Sequence, residues 1–451
     1  MQVKSKSQKK VSMPVIHEHA AGIDIGSRSH FAAVGQDLED VREFGVYDQD
    51  LRQCAVWLKS HGIETVAMES TGSYWQNLYD VLIASGFEVL LVSGAQTKNR
   101  NKTDVKDCRW IQFLHSVGLL TGSFLPDIAT EELRTLYRHR AFLLKQASKY
   151  ICKMQKSLRL MNFRLDVVLS DITGLSGQAI IKAIIAGETD PEVLAAKANY
   201  RVKKSREEIA RALSYNGRVD YMYELADSFD IYQSYVKKME ACDRKIEELM
   251  RIHIDQTGKP QTSPPPLEKP KRLRKNSPKI PLEQLSWQWN NEVNLMSIKG
   301  VSHTTVLTVN SEVGLSIDKF PTAKAFTSWL RLSPNNRISG GKTISSHVRK
   351  GSNRLASALR LAAESIGKQK DAPLYPFFQR ILYRQGRCAA IIATARKLAV
   401  IIWNMLTKKE TYKPYDTTKI ESQIRDKQIR KINKLMQLFK VNASEIKFIS
   451  A

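Results

Sequence analysis

The chain has 451 residues, and Lys plus Arg outnumber Asp plus Glu by 70 to 45, a net charge of +25. That length predicts about three domains with a sizeable core, and the cationic excess points to a polyanionic partner, nucleic acid above all, and away from a small-metabolite enzyme. Five cysteines with no CxxC spacing argue against a disulfide framework, and no apolar stretch follows the basic N-terminus as a secretory signal requires.

Residues 1–19 read as a basic extension and 20–127 as an α/β domain. Ala20–Gly26, His30–Gln36 and Val41–Val46 are predicted strands, Gln49–Ser60 a helix, Glu64–Met68 a strand, Tyr74–Ser85 a helix, Phe87–Val92 a strand and Thr103–Val117 a helix. This order is that of the ribonuclease H-like fold. Four carboxylates punctuate it: Asp24 inside Ala21-Gly22-Ile23-Asp24-Ile25-Gly26, Glu69 after Thr65-Val66-Ala67-Met68, and Asp104 with Asp107, spaced to share one helix face. An acid inside a buried strand is costly unless compensated, and a divalent cation is the usual compensation. Any one of them could be a cap or a solvated charge; the ordered set points to a site for Mg²⁺ or Mn²⁺.

Residues 128–255 read as long helices, with apolar residues recurring at Leu133, Leu136, Leu143, Ala147, Ile151, Met154, Leu158 and Met161, the spacing of an amphipathic or coiled-coil helix. Mutual packing, oligomerisation and RNA binding all fit that pattern. Residues 256–282 hold seven of the fifteen prolines, seven Lys or Arg and one acid, a composition that predicts a disordered basic linker. In the mostly helical region 283–410, Leu295–Val313 reads as helix, turn, helix around Ile298-Lys299-Gly300-Val301-Ser302-His303-Thr304. That pattern resembles a helix-hairpin-helix, whose turn offers backbone amides to a phosphate, with Ser302 where a second glycine is usual. Lys299, Gly300, Ser302 and Thr304 are therefore candidate nucleic-acid contacts, together with Arg337, Lys342, Arg349, Lys350, Asn353 and Arg354.

Arg337-Ile338-Ser339-Gly340-Gly341-Lys342 supplies a second chemical candidate. Two glycines permit close backbone approach to a ligand, and the flanking cations could stabilise charge on a phosphate attacked by Ser339. The apolar stretch Ala389–Leu406 contains Arg396 and Lys397, which predicts a buried helix rather than a membrane span. Residues 411–451 read as a charged, partly helical tail, and the chain as cytoplasmic.

Asp24, Glu69 and the Asp104-x-x-Asp107 pair, followed by helices and a distal Ser-Gly-Gly-Lys loop, resemble the DEDD-type insertion-sequence transposases. That family is related to the Piv DNA invertase and includes the bridge-RNA-guided serine recombinases. Local matches at Met68-Glu69-Ser70-Thr71-Gly72, Lys350-Gly351-Ser352-Asn353-Arg354 and Ala395–Trp403 extend the resemblance over roughly 20–165 and 292–408. It implies a RuvC-like domain whose four metal-binding acids are those named, and a C-terminal transposase domain whose nucleophile is Ser339. It also implies donor and target double-stranded DNA as substrates, a noncoding guide RNA, and a homodimer or homotetramer acting at the nucleoid. The 256–282 linker is longer than that family's usual connection.

Three other readings compete. Gly22-Ile23-Asp24-Ile25-Gly26-Ser27 also reads like the first phosphate loop of actin and sugar kinases, but the second Asp-x-Gly loop of that class is missing. A RuvC-like nuclease would use the acids and leave Ser339 idle. A non-catalytic binding protein would leave the acids as an unexplained repulsion of phosphate.

Overall fold

Ile23 and Met68 face each other across neighbouring parallel strands and bury their side chains in one apolar layer. Because side chains alternate along a strand, the next residues, Asp24 and Glu69, must emerge together on the opposite face. That alternation organises the N-terminal part of the computed structural model, which describes residues 13–98, 103–258, 262–267, 269–414 and 418–439. The chain divides into two units, residues 1–125 and 126–451. Parts of the predicted N-terminal extension, of the linker and of the tail lie outside the described residues.

In the first unit, strands β1 (Ala20–Ile25), β2 (His30–Ala33) and β3 (Val41–Phe44) form a meander. Helix α1 (Asp48–Ser60), β4 (Thr65–Glu69), α2 (Gln76–Ala84), β5 (Glu88–Val92) and α3 (Asp104–Ser116) follow. The sheet order is β3-β2-β1-β4-β5, with β2 antiparallel to both its neighbours and β1, β4 and β5 mutually parallel, consistent with a ribonuclease H-like start. Each predicted element is present within one to three residues of its expected ends. Leu51, Cys54 and Leu58 of α1 and Leu78 and Leu82 of α2 fill the core on the Ile23 face.

Helix α3 lies on the other face, and Gly22 is why it can. A Cβ at Gly22 would stand 2.1 Å from the Gln112 amide nitrogen and 2.5 Å from the Cys108 carbonyl oxygen, so only glycine lets this helix backbone rest on the strand. Gln112 reinforces the contact by donating from Nε2 to the Ala20 carbonyl at 3.1 Å.

In the second unit, α4 (Ile128–Leu160) runs antiparallel to α9 (Asp220–Gln256). Between them lie α5 (Leu165–Val168), α6 (Leu175–Ile185), α7 (Pro191–Ala195) and α8 (Arg206–Arg211). Ala147, Met154, Leu158 and Met161 from the predicted stripe pack against Leu225, Phe229 and Tyr232 of α9 and Ile180, Ile181 and Ile184 of α6. Much of that stripe is thus satisfied within the chain. A buried ion pair, Arg140 with Asp243, ties α4 to α9.

The segment before residue 282 differs from the spacer that its composition predicts. Arg140 donates to the Asn276 carbonyl at 3.1 Å, the Lys279 amide donates to Asp243 at 3.1 Å, Lys275 pairs with Asp171, and Ser277 and Ile280 are buried. Specific partners 36 to 136 residues upstream hold a sequence that could not build a core of its own.

Helices α10 (Leu282–Trp289), α11 (His303–Glu312), α12 (Ala323–Trp329), α13 (Arg354–Ile366), α14 (Tyr375–Gln385), α15 (Arg387–Lys408) and α16 (Thr418–Phe439) complete the unit, with a hairpin β6 (Arg337–Ser339) and β7 (Lys342–Ser345) inserted after α12. The predicted first arm of the helix-hairpin-helix is only a 3-10 turn, Leu295–Ser297. Among the described residues α15 alone is long and apolar enough to cross a membrane. It packs against α12, α13 and α14, burying Ala395, Leu398, Ala399 and Ile402.

Candidate active site

Asp24 stands half-buried between the buried Ile23 and Ile25 near the end of β1, and Glu69 ends β4 beside it. Thr103 caps α3 by accepting from the Lys106 amide at 3.3 Å. This cap sets Asp104 and Asp107 in the first turn, where the positive end of the helix dipole favours carboxylates. With α3 seated on Gly22, that turn lies over Asp24. The Asp24 carboxyl is pushed up from the usual 3.8 to about 6, first by burial and then by the negative charges of Glu69, Asp107 and Asp104. All three other acids therefore act on one carboxyl, and the four predicted residues form a single negative cluster.

Sequence reasoning missed the residues that hold Glu69. Thr97 donates from Oγ1 to Glu69 Oε2 at 2.5 Å, and Thr71 donates to Oε1 at 3.1 Å. Gly94 closes the same side, since a Cβ there would lie 2.6 Å from Oε1. Thr97 and Gly94 stand in an ordinary loop with no motif, so only their position reveals them. Among the described residues no three His, Cys, Asp or Glu side chains stand close enough to share one ion as placed, as expected where like charges repel. The donor set of four carboxylates from three segments nonetheless suits a hard divalent cation.

Ser339 belongs to the second unit. It is the last residue of β6, directly opposite Lys342, in an exposed two-stranded hairpin. Gly340 and Gly341 close it with φ of +54° and +74°, the paired left-handed conformation that a tight hairpin requires. Arg337 starts the same strand. Among the described residues no carboxylate or imidazole hydrogen-bonds to the Ser339 hydroxyl.

The remaining predicted contacts fall into two groups. Arg349, Lys350 and Arg354 follow the hairpin, Asn353 caps α13 by accepting from the Ala356 amide at 3.0 Å, and the Lys350 carbonyl accepts from Arg331. The Gly300 turn is more committed to the fold than expected. Lys299 pairs with Asp371 at 3.0 Å, and Ser302 caps α11 through the Thr305 amide. Thr304 accepts through its carbonyl from Tyr137, and Gly300 lies so close to α13 that a Cβ would strike Ile366 at 2.4 Å.

The strand order and the clustered acids place the first unit among α/β domains of ribonuclease H-like start with carboxylates gathered at the C-terminal ends of two interior strands. Comparison with known families narrows that class. A model of the DEDD transposases of the IS110 type, described as Transposase, matches residues 21–163. A second, described as Transposase IS116/IS110/IS902 family, matches 292–378. The chain is also 30% identical over 123 residues to a protein named "Transposase for insertion sequence element IS1111A" from Coxiella burnetii (strain RSA 493 / Nine Mile phase I). That alignment covers 26% of this chain and 34% of the relative, so the chain spans about a third of the curated relative it matches. The chain belongs to the IS110-type family of DEDD insertion-sequence transposases.

Proposed function

We propose that this protein is the transposase of an insertion sequence, cutting and rejoining DNA with the four acids and Ser339. The observation that carries the reading is the gathering of Glu69, Asp107 and Asp104 around the half-buried Asp24, whose carboxyl is raised to about 6 by burial first and by their charges second. Such a cluster repels phosphate unless a cation intervenes, so its retention in a chain of net charge +25 calls for a chemical use. Asp24, Glu69, Asp104 and Asp107 would hold one or two Mg²⁺ or Mn²⁺ ions, which supply charge neutralisation and Lewis-acid polarisation of a phosphodiester.

The chain's own residues do the rest. Thr71 and Thr97 hold the Glu69 carboxylate in one orientation, and Gly22 fixes the height of α3 and therefore of Asp104 and Asp107. Ser339 supplies the nucleophile: its Oγ bonds to phosphorus as a strand P–O bond breaks, its proton is released, and the departing strand oxygen takes up a proton. An incoming strand hydroxyl reverses these changes and frees the serine, so the phosphodiester energy is conserved through the exchange. Lys342, opposite Ser339, and Arg337 lie where cationic side chains favour charge on the transferred phosphate. By family resemblance the partners are donor and target double-stranded DNA, a noncoding RNA encoded by the element, and further copies of the chain as a dimer or tetramer, acting in the cytosol at the nucleoid.

The test is a suicide DNA substrate with wild type and Ser339→Ala. A protein–DNA adduct on a denaturing gel that disappears in the variant supports the reading. An adduct that persists moves the nucleophile to another residue, Ser345 or Ser346 first. That no carboxylate or imidazole among the described residues bonds to Ser339 favours one second reading, a RuvC-like nuclease using the acids alone. Metal-dependent cutting without any adduct is its signature.

A further inference from the structure

Two adjoining cavities in the second unit lie between the 266–274 segment, the Gly300 turn and α13. They measure about 690 Å³ and about 380 Å³ and share Arg274, Gly300, Ser302 and Ser365 in their walls. Joined, they exceed the roughly 300–1,000 Å³ of a small-molecule site, so an extended ligand fits them better than a metabolite.

Their electrostatics select its charge. Arg272 and Arg274 line the first cavity and Arg354 the second, and among the described residues none of the three has a carboxylate within ion-pair reach. The acids in the walls are already taken: Asp371 pairs with Lys299 at 3.0 Å, and Glu312 with Arg138 at 2.7 Å. The capped N-termini of α11 and α13 both open on the second cavity, adding two sets of partial positive charge. His303, only 9% exposed, lines the first cavity and makes no hydrogen bond among the described residues. Its ring therefore stands free to bond whatever fills the cavity. Tyr412 offers a ring in the same wall.

Lys271 explains how a proline-rich segment comes to form that wall. Its ammonium donates to the Ile298 carbonyl at 2.8 Å and the Val301 carbonyl at 2.5 Å, fastening the segment across the turn. Burial holds this amine down to about 8, so the anchor weakens in alkali.

We propose that these cavities form one groove that grips the sugar–phosphate backbone of a single nucleic-acid strand. Arg272, Arg274 and Arg354 bind the phosphates, His303 donates to one of them, and Lys271 is the positioning residue for the wall. The proposal rests on the reading of the protein as a nucleic-acid enzyme. It adds a strand-binding site whose walls do not include the Ser339 hairpin and turns the basic segment from a spacer into part of that site. Because the walls read phosphates, DNA and RNA strands should bind alike.

Fluorescence anisotropy with the full chain and labelled single strands of about 12 nucleotides, DNA and RNA, tests it. The double variant Arg272→Ala/Arg274→Ala should weaken binding on the order of tenfold. It should also flatten the slope of log affinity against log salt by about 1.4, roughly 0.7 for each lost phosphate contact, with an unchanged melting temperature. Lys271→Ala should weaken binding similarly and recover when ethylamine is added, because a free ammonium can refill the carbonyl pair. Unchanged affinity and slope in the double variant, or binding confined to duplex, would overturn the groove; a Lys271→Ala loss that ethylamine leaves unrestored would overturn the positioning role. The Ser339 adduct reports separately on the cutting reading, so normal adduct formation with failed groove predictions sinks the groove alone.

Discussion

Replacing Asp24 by Asn should stabilise the first unit while abolishing its chemistry. The Asp24 carboxyl stands at about 6 in the fold against 3.8 ordinarily, because burial and three neighbouring acids all disfavour its charged form. That difference corresponds to about 3 kcal/mol against the ionised state, and partial solvent access screens it to about 2 kcal/mol. A raised acid pKa means that the folded state holds the proton more tightly than the unfolded one. The fold is therefore unpenalised below about pH 4, loses stability as pH rises to about 6, and stays penalised above. Asn is never charged, so the gain of Asp24→Asn over wild type should grow from near zero at about pH 4 to about 2 kcal/mol at about pH 7.5. Native-state hydrogen exchange at the β1 and β4 amides, in EDTA, measures that opening energy for the first unit. Added Mg²⁺ should stabilise wild type and leave the variant unmoved. A variant equal to or weaker than wild type across this range, or an equal Mg²⁺ response in both, would refute the argument that the four acids act as one repelling cluster.

Four further outcomes follow from the packing. Gly22→Ala should lift α3 off β1 and destabilise the unit by about 3 kcal/mol, read by urea melts, because no flexible side chain stands where the new methyl must go. Thr97→Val should reduce strand cleavage while costing only about 1 kcal/mol of stability, since it removes a donor to Glu69 without opening a cavity; unaltered cleavage would remove Thr97 from the site. Asp243→Ala should cost about 3–5 kcal/mol by stranding the buried Arg140 guanidinium, whereas a hydrophobic replacement of both partners should recover much of it. Gly340→Ala or Gly341→Ala should each strain the hairpin by about 1 kcal/mol through their left-handed backbone, lowering adduct formation at Ser339 with no change in global melting.

The strand–helix alternation of the first unit was legible because each element carries its own signal: short β-branched runs, a capping threonine before α3, and turn residues between them. Asp24 stood out as a charge inside an apolar run, Glu69 as an acid at the end of one, and Asp104 with Asp107 as a pair spaced for one helix face. The Ser-Gly-Gly-Lys segment read only as a loop, and the structure makes it the turn of a hairpin that its two left-handed glycines allow. Other features depended on residues far apart in sequence. Nothing near Thr97 or Gly94 says that they embrace Glu69, and the need for Gly22 appears only when α3, some 90 residues later, is laid upon it. Composition alone made 256–282 a loose spacer, since prolines and lysines bury little apolar surface by themselves. Lys271, Lys275 and Lys279 instead find carbonyls and carboxylates on elements already folded. Likewise Lys299, Gly300 and Ser302 fit a phosphate-binding turn by sequence, yet long-range packing assigns them an ion pair, a close contact with α13 and a helix cap. Local sequence determined the elements and marked the acids, because backbone propensity and hydrophobic period act over a few residues. The tertiary structure decided which polar groups became partners, because a buried charge takes whichever partner the completed fold brings within reach.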